Sequence, residues 1–188
     1  MFIRTERLFL RPAWPEDCQD LYAALSHEAV VRNLSRVPWP YTLDDARAFV
    51  GRPQDRRHPH FLVTLPGARG SRVIGGIGLT EEEGGAHLGY WLTPEVWGRG
   101  YATEAVRAVL RLARTLGHRE VSARHRIDNP ASGRVLEKAG FSAAQQTVIP
   151  TSTGPVPALS YVLRFGTPSD CDGQAGVGAT CEADMQAA

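Results

Sequence analysis

Leu88-Gly89-Tyr90-Trp91-Leu92-Thr93-Pro94-Glu95-Val96-Trp97-Gly98-Arg99-Gly100-Tyr101-Ala102-Thr103-Glu104-Ala105 reads, in that order, as a strand, a two-glycine turn and the opening of an amphipathic helix. The apolar run Leu88 to Leu92 suits a buried strand whose ladder ends at Thr93-Pro94. Gly98 and Gly100 allow positive φ and close approach of a ligand to the main chain. The helix that follows offers unpaired N–H groups and the positive end of its dipole, so the segment forms a cradle for a phosphate or pyrophosphate. Val106, Val109, Leu110, Ala113 and Leu116 give that helix its apolar stripe, Arg107, Arg111 and Arg114 fall on another face, and Gly117 stands where a C′ residue belongs.

Spacing separates the phosphate loops that could own this turn. A mononucleotide P-loop needs G-x-x-x-x-G-K-[ST], and the chain's only lysine is Lys138. The dinucleotide fingerprint G-x-G-x-x-G comes closer, with Glu120 about 20 residues on as a ribose-binding acid. Its context fails: position 103 is Thr, Glu120 opens its strand rather than ending it, and too little chain remains for a doubly wound sheet.

The chain has 188 residues, 43% of them hydrophobic, which suits one buried core. A net charge of +1 gives no steering toward nucleic acid or an anionic membrane, so neither is expected as a partner. No apolar run approaches the ~20 residues that cross a bilayer, and the opening Met1-Phe2-Ile3-Arg4 leads into a strand pattern, so a cytoplasmic protein is expected. Cys18, Cys171 and Cys181 have no metal spacing and read as free thiols; no metal site is expected.

Alternation over residues 6 to 11 marks a first strand, stopped by Pro12. Pro15 opens a helix with Leu21, Ala24 and Leu25 on its apolar side, and a second helical patch runs from about Glu28 to Leu34. Thr42 is the N-cap of a helix through Val50, with Asp45 at the capping-box position. Phe61 to Leu65 and Val73 to Leu79 are strands joined at Pro66-Gly67, Glu83-Gly84-Gly85 turns into the central strand, and Glu81 to Glu83 read as a solvated turn. Glu120 to His125 is a strand, Asn129-Pro130 starts a short helix ended by Gly140, and strands near 143–149 and 157–165 complete a mixed seven-strand sheet with helices on both faces, an α+β arrangement. Residues 1–165 form the expected domain. From 166 to 188 the apolar pattern gives way to Gly, Ala, Ser, Asp and Gln, which reads as a disordered tail.

Trp97-Gly98-Arg99-Gly100-Tyr101-Ala102 resembles the [QRW]-x-x-G-x-[GA] pyrophosphate loop of the GNAT acyltransferase superfamily. Gly89-Tyr90-Trp91-Leu92, Asn129-x-x-Ser132, Glu137-Lys138-Ala139-Gly140-Phe141, Thr5-Glu6-Arg7-Leu8-x-Leu10-Arg11-Pro12 and Pro40-Tyr41-Thr42-x-x-Asp45-Ala46 are similar to the branch holding the ribosomal-protein N-terminal alanine acetyltransferases. The resemblance implies a three-layer GNAT-like fold and an N-acetyltransferase moving acetyl from acetyl-CoA (coenzyme A) to a primary amine in a ternary complex. The acceptor it implies is a protein N-terminal α-amine or a small-molecule amine, with the enzyme a monomer or a homodimer. A non-catalytic acyl-CoA-binding or sensing module stands as the alternative.

On that resemblance the coenzyme lies against Trp91, Leu92, Thr93, Trp97, Gly98, Arg99, Gly100, Tyr101, Ala102 and Thr103, with its arm along the strand Tyr90 to Leu92 as an added strand would lie. Backbone N–H groups around Leu92 and Thr93 serve the oxyanion. Asn129 is implied as a contact to the arm, although its place before Pro130 also makes it an N-cap. Ser132 is implied beside the sulfur, where its hydroxyl serves the leaving thiolate; a solvated helix-start residue is the other reading. His87, of the residue type whose unperturbed ionisation lies near neutrality, is the candidate base where many relatives of the branch carry glutamate; a plain strand histidine is the alternative. Glu104 favours the helix dipole and steadies the loop. Arg36, Trp39 and Tyr41 either line the acceptor pocket or pack a proline-rich loop onto the core.

Overall fold

A computed structural model describes residues 1–35, 37–68, 70–82, 85–151 and 154–166. Among them run eight strands and five α-helices: β1 (Ile3–Arg4), β2 (Phe9–Arg11), α1 (Cys18–Leu25), α2 (Glu28–Val31), α3 (Leu43–Val50), β3 (His60–Gly67), β4 (Gly70–Glu82), β5 (Gly85–Leu92), α4 (Tyr101–Thr115), β6 (Glu120–Arg126), α5 (Pro130–Lys138), β7 (Ser142–Thr151) and β8 (Gly154–Arg164). The sheet order is β1-β2-β3-β4-β5-β6-β8-β7. Every neighbouring pair is antiparallel except β5 and β6. Seven strands were expected and eight form; the addition is β1, which pairs Ile3 with Leu10 and Arg4 with Phe9.

β1 exists because the expected strand over residues 6 to 11 is broken at its start. Thr5 N–H donates to Leu8 O at 3.0 Å and Leu8 N–H to Thr5 Oγ1 at 3.0 Å, so Thr5 to Leu8 turns back and Arg7 leaves the sheet. A buried pair fixes the other end of β2, where the Arg11 guanidinium donates to both Asp17 carboxylate oxygens, at 2.7 and 2.6 Å, and stacks over Trp14. Burial opposes ionisation of Asp17, but the bonds from Arg11 and from Trp14 N–H outweigh it and hold its carboxyl below the ordinary range.

Side-chain alternation sorts the two faces. Leu8, Leu10, Leu79, Ala86 and Leu88 pack with Val106, Val109 and Leu110 of α4 and Leu136 of α5. On the opposite face, Leu62 and Val73 meet Leu21 and Leu25 of α1, Val30 of α2 and Ala46 of α3. The Thr42 capping box forms as the sequence implied, with Asp45 N–H donating to Thr42 Oγ1 and Thr42 N–H to Asp45 Oδ2. Helices therefore cover both faces of the sheet. The tail beyond Gly166, with Cys171 and Cys181, and the turn residues Glu83 and Gly84 lie outside the described residues.

β5 and β6 decide where a ligand can enter. Their parallel pairing covers only Ala86 with Val121, His87 with Ser122 and Leu88 with Ala123. β5 continues to Leu92 and β6 to Arg126, so beyond Leu88 the two strands part while β5 stays paired with β4 through Leu92. The sheet opens into a gap on the side where β5 runs into the glycine turn.

Candidate active site

The turn is built for close approach. Pro94–Val96 is a single 3-10 turn anchored by buried Val96. Gly98 follows at φ 75° and Gly100 at φ 81°, left-handed conformations that a side chain disfavours. Gly100 is the N-cap of α4 and has no side chain to accept from the first helical N–H groups, so those donors stay presented. A Cβ placed on Gly98 would meet nothing within 4 Å; the space beside the loop is open. The Trp97 indole Nε1–H donates to Leu92 O at 2.8 Å and ties the loop to the end of β5.

Arg7, freed from the sheet by the Thr5 turn, completes the rim. Glu104 in the first turn of α4 accepts from Thr5 Oγ1 at 2.6 Å, Arg7 N–H at 2.9 Å and Arg7 Nε at 2.7 Å. The same guanidinium donates to Arg99 O at 3.0 Å and lies 4.6 Å over the Tyr101 ring. Burial works against the Glu104 charge, yet the bonds from Thr5 and Arg7 prevail and keep its carboxyl below the ordinary range. Glu104 thus steadies the loop, as expected, and the cation that does so is Arg7, which strand periodicity had placed elsewhere.

Register assigns the polar groups along the gap. Thr93 N–H donates to Ile74 O at 2.9 Å, continuing a ladder in which Trp91 faces Gly76 and Leu92 faces Gly75. Peptide groups alternate in an antiparallel pair, so those of Trp91 and Thr93 point to β4 while those of Tyr90 and Leu92 point into the gap. The main-chain N–H groups of Trp91 and Thr93 are thus committed to the sheet, while Leu92 and Tyr90 turn theirs toward the gap. The Trp91 ring packs with the α1–α3 core.

The start of α5 borders the gap on the α4 face. Asn129 caps α5, its side chain accepting from Ser132 N–H at 3.4 Å, while its Nδ2 donates to Asn33 Oδ1 at 3.2 Å. Each end of the amide has one bond, which leaves one donor hydrogen and one acceptor lone pair. Ser132 Oγ lies 2.7 Å from the Tyr90 hydroxyl. Burial pushes the Tyr90 phenol up to about 12, against the lowering effect of its bond with Ser132.

A parted parallel pair, a glycine loop at its mouth and a helix start facing the opening are here in one place, and comparison with known proteins gives that arrangement its family. The family described as "Acetyltransferase (GNAT) domain" matches residues 7–142. The chain belongs to the GNAT acetyltransferase family. It is 28% identical over 177 residues to the uncharacterized N-acetyltransferase YoaA of Bacillus subtilis (strain 168), covering 89% of this chain and 92% of that protein. The crystal structure of a GNAT-family acetyltransferase from Bacillus anthracis superposes with a TM-score of 0.76 at 25% identity, covering 87% of this chain and 98% of the other. RimL, a ribosomal L7/L12 alpha-N-protein acetyltransferase crystallised with coenzyme A, superposes with a TM-score of 0.72 at 19% identity over 88% of this chain and 98% of its own.

In this GNAT acetyltransferase, His87 sits on β5 at the closed end of the gap, on the face of the α1–α3 layer. Its Nδ1 is 3.0 Å from Ser122 Oγ and 3.6 Å from Glu82 Oε2. Glu82 also pairs with Arg124, so the expectation of a solvated Glu81–Glu83 turn fails at Glu82: β4 extends to that residue and turns its carboxylate toward His87. Two residues along the same face, Gly89 leaves open space where a side chain would stand.

The acceptor candidates separate. Tyr41 is buried among α1, α2 and α3, and burial pushes its phenol up to about 12; this is the packing alternative of the two its loop offered. Trp39 is exposed, and Arg36 lies outside the described residues. Glu120, the acid of the dinucleotide reading, binds Arg164 at the start of β6, at the opposite end of the sheet from the cradle. Among the described residues no group of three His, Cys, Asp or Glu side chains could hold a metal, and no helix is long and apolar enough to cross a membrane.

Proposed function

We propose that this enzyme transfers an acetyl group from acetyl-CoA to a primary amine by direct attack in a ternary complex. The observation that carries the reading is the parting of β5 from β6 beside a helix start whose cap is a glycine at φ 81°. The fit to a CoA diphosphate rests on the same place: open space at Gly98, first-turn N–H groups with no side-chain cap, and the Arg7 guanidinium at the rim. RimL, of similar fold, was crystallised with coenzyme A, which supports the choice of ligand. The likeness of Asn129-x-x-Ser132 and the loop to the ribosomal-protein branch favours a protein N-terminal α-amine as acceptor, with a small-molecule amine the other candidate.

The bound thioester supplies the activated acyl group. Gly98, Arg99, Gly100, Tyr101, Ala102 and Thr103 hold the diphosphate through main-chain N–H groups, with Trp97 bracing the loop. Tyr90 and Leu92 present N–H groups to the arm, and one of them polarises the thioester carbonyl as the oxyanion forms. His87 takes the proton from the incoming amine, its ring held between Ser122 and Glu82. Ser132 donates a hydrogen bond to the departing sulfur. Orientation of amine and thioester together accounts for several kcal/mol of the barrier, so the demand on each of these groups is modest.

Calorimetry with acetyl-CoA, followed by thiol release across a panel of N-terminal peptides and small amines, tests the proposal. Binding followed by turnover on at least one amine is expected; absence of cofactor binding overturns the proposal, and binding without turnover on any amine replaces it with the acyl-CoA-binding module. His87→Gln is expected to lower kcat by about 10²-fold or more near pH 7, the ordinary range for a general base. Full rate in that variant would remove His87 from the role.

A further inference from the structure

One half-buried titratable side chain at the gap, the Tyr90 phenol, has no part in that scheme. Tyr90 lies on the gap-facing segment of β5 and sends its side chain to the α4–α5 layer, where its hydroxyl meets a residue 42 positions away in sequence: Ser132 Oγ at 2.7 Å and Ser132 O at 3.1 Å. We propose that Tyr90 is a positioning residue for acetyl transfer, its phenol fixing the Ser132 hydroxyl so that the serine proton points at the cofactor sulfur. The inference rests on the acetyl-CoA reading above.

A serine hydroxyl is a rotor with one proton and two lone pairs. Left alone at a helix start, it distributes that proton among nearby carbonyls and water. In the proposed arrangement the phenol hydrogen, within reach of both Ser132 Oγ and Ser132 O, is donated into Oγ, where it fills a lone pair and leaves the serine hydrogen as the group with a choice of direction. Asn129 holds the Ser132 backbone N–H from the other side, so rotation about the side-chain bond is the freedom that remains. Of the neighbouring polar groups, the Tyr161 hydroxyl donates to Glu137 at 3.3 Å, and His125 Nδ1 lies 2.7 Å from Arg126 O, which places the ring proton on that nitrogen and leaves the buried Nε2 as an acceptor with no hydrogen-bond partner among the described residues. Tyr90 is the phenol that reaches Ser132.

The phenol acts as a fixed donor and not as the final acid. Burial, with a contribution from Tyr161, raises it to about 12 despite the lowering effect of its contact with Ser132, so it keeps its proton through the neutral range. An ordinary thiol ionises near about 8.5, so proton transfer from this phenol to a departing thiolate runs uphill. During transfer the N–C bond forms as the C–S bond breaks, the C–S electron pair stays on sulfur, and the amine proton goes to the base. The Tyr90–Ser132 chain stabilises the resulting sulfur anion by hydrogen bonding.

Coenzyme A alone is the probe, so no acceptor is needed. Thiolate absorbance in the ultraviolet, titrated against pH with coenzyme A bound, reads the pKa of the bound thiol. The wild-type complex is expected to ionise below free coenzyme A. Ser132→Ala raises that value by about one unit, the size of one hydrogen bond to a charged atom. Tyr90→Phe raises it by at least half as much with coenzyme A affinity unchanged within about twofold, and the double variant goes no further than Ser132→Ala. A loss of packing alone would change affinity without moving the thiol. Fluorotyrosine at position 90 strengthens the donor while keeping the ring, and is expected to lower the bound pKa further. If Tyr90→Phe folds and leaves the thiol at its wild-type value while Ser132→Ala raises it, or if fluorotyrosine has no effect, the role of Tyr90 is overturned and that of Ser132 stands. If the wild-type protein does not bind coenzyme A, or Ser132→Ala moves nothing, the parent reading fails and takes this inference with it.

Discussion

Arg7 and Arg11 flank the same short stretch of chain and meet acids in opposite surroundings. Arg11 and Asp17 are both buried, joined by two bonds, and close the corner between β2 and α1. Arg7 and Glu104 also meet at 2.7 Å, but the guanidinium side chain is 43% exposed and bonds at the same time to Arg99 O in the cradle loop. Attraction between charges grows as water is excluded, and so does the cost of leaving one of them alone. The first pair is therefore a lock on the fold. The second is a weak link in energy and sits where a ligand's charge would be felt, so its value lies in shaping the loop.

Breaking the lock gives the largest effect on stability. Asp17→Ala leaves Arg11 buried without its counter-charge and is expected to destabilise the protein by about 3 kcal/mol or more, read from urea unfolding. A loss under about 1 kcal/mol would remove the distinction between the two pairs. Glu104→Gln at the rim is expected to cost at most about 1 kcal/mol in the same measurement, as solvent-screened pairs do, while weakening coenzyme A several-fold because the loop loses its brace. Equal effects of the two substitutions on stability, or an unchanged coenzyme A affinity in Glu104→Gln, would contradict the assignment.

Acid sharpens the contrast further and has the smallest effect. Asp17 and Glu104 both ionise below their ordinary range in the folded protein. A carboxyl depressed on folding contributes stability that is complete above its unfolded pKa of about 4 and is lost as pH falls through the lower folded value. The urea midpoint should therefore hold level from pH 7 to about 5 and decline below about 4. Asp17→Asn should flatten that decline more than Glu104→Gln does. A wild-type midpoint that rises on acidification would reverse the sign and refute the account.

The parts of this molecule legible in its sequence are those set by local chemistry. The apolar stripe of α4, its C′ glycine, the Thr42–Asp45 box and the Asn129 cap each depend on residues within one or two turns, and each forms as the spacing implies. Arg7 is hidden because strict alternation with Phe9 and Arg11 makes a better strand than the Thr5 turn makes a turn; the acid at position 104, in the first turn after two glycines, is the available signal that a cation would come to it. Tyr41 in its proline-rich loop is readable as aromatic but not as inward-facing, since a tyrosine suits either side. Which main-chain groups of Tyr90 to Thr93 face the gap is not legible in the sequence, because that phase depends on a register with β4 that one strand cannot declare. Glu82 looks like turn because glycines follow it; pairing with Gly85 draws it into β4. The meeting of Tyr90 with Ser132 crosses two elements and leaves no periodic trace.

Titration of coenzyme A into wild-type protein and into Gly98→Val, followed calorimetrically, tests the central claim most directly. Gly98 is exposed, at φ 75°, with nothing within 4 Å of the point where a Cβ would stand, so a β-branched residue there disturbs the loop far more than the core. The account predicts saturable binding to the wild-type protein and a loss of at least about tenfold in affinity for Gly98→Val, with the fold retained. Equal affinity in the two proteins, or no heat of binding in either, would contradict a diphosphate held in this cradle.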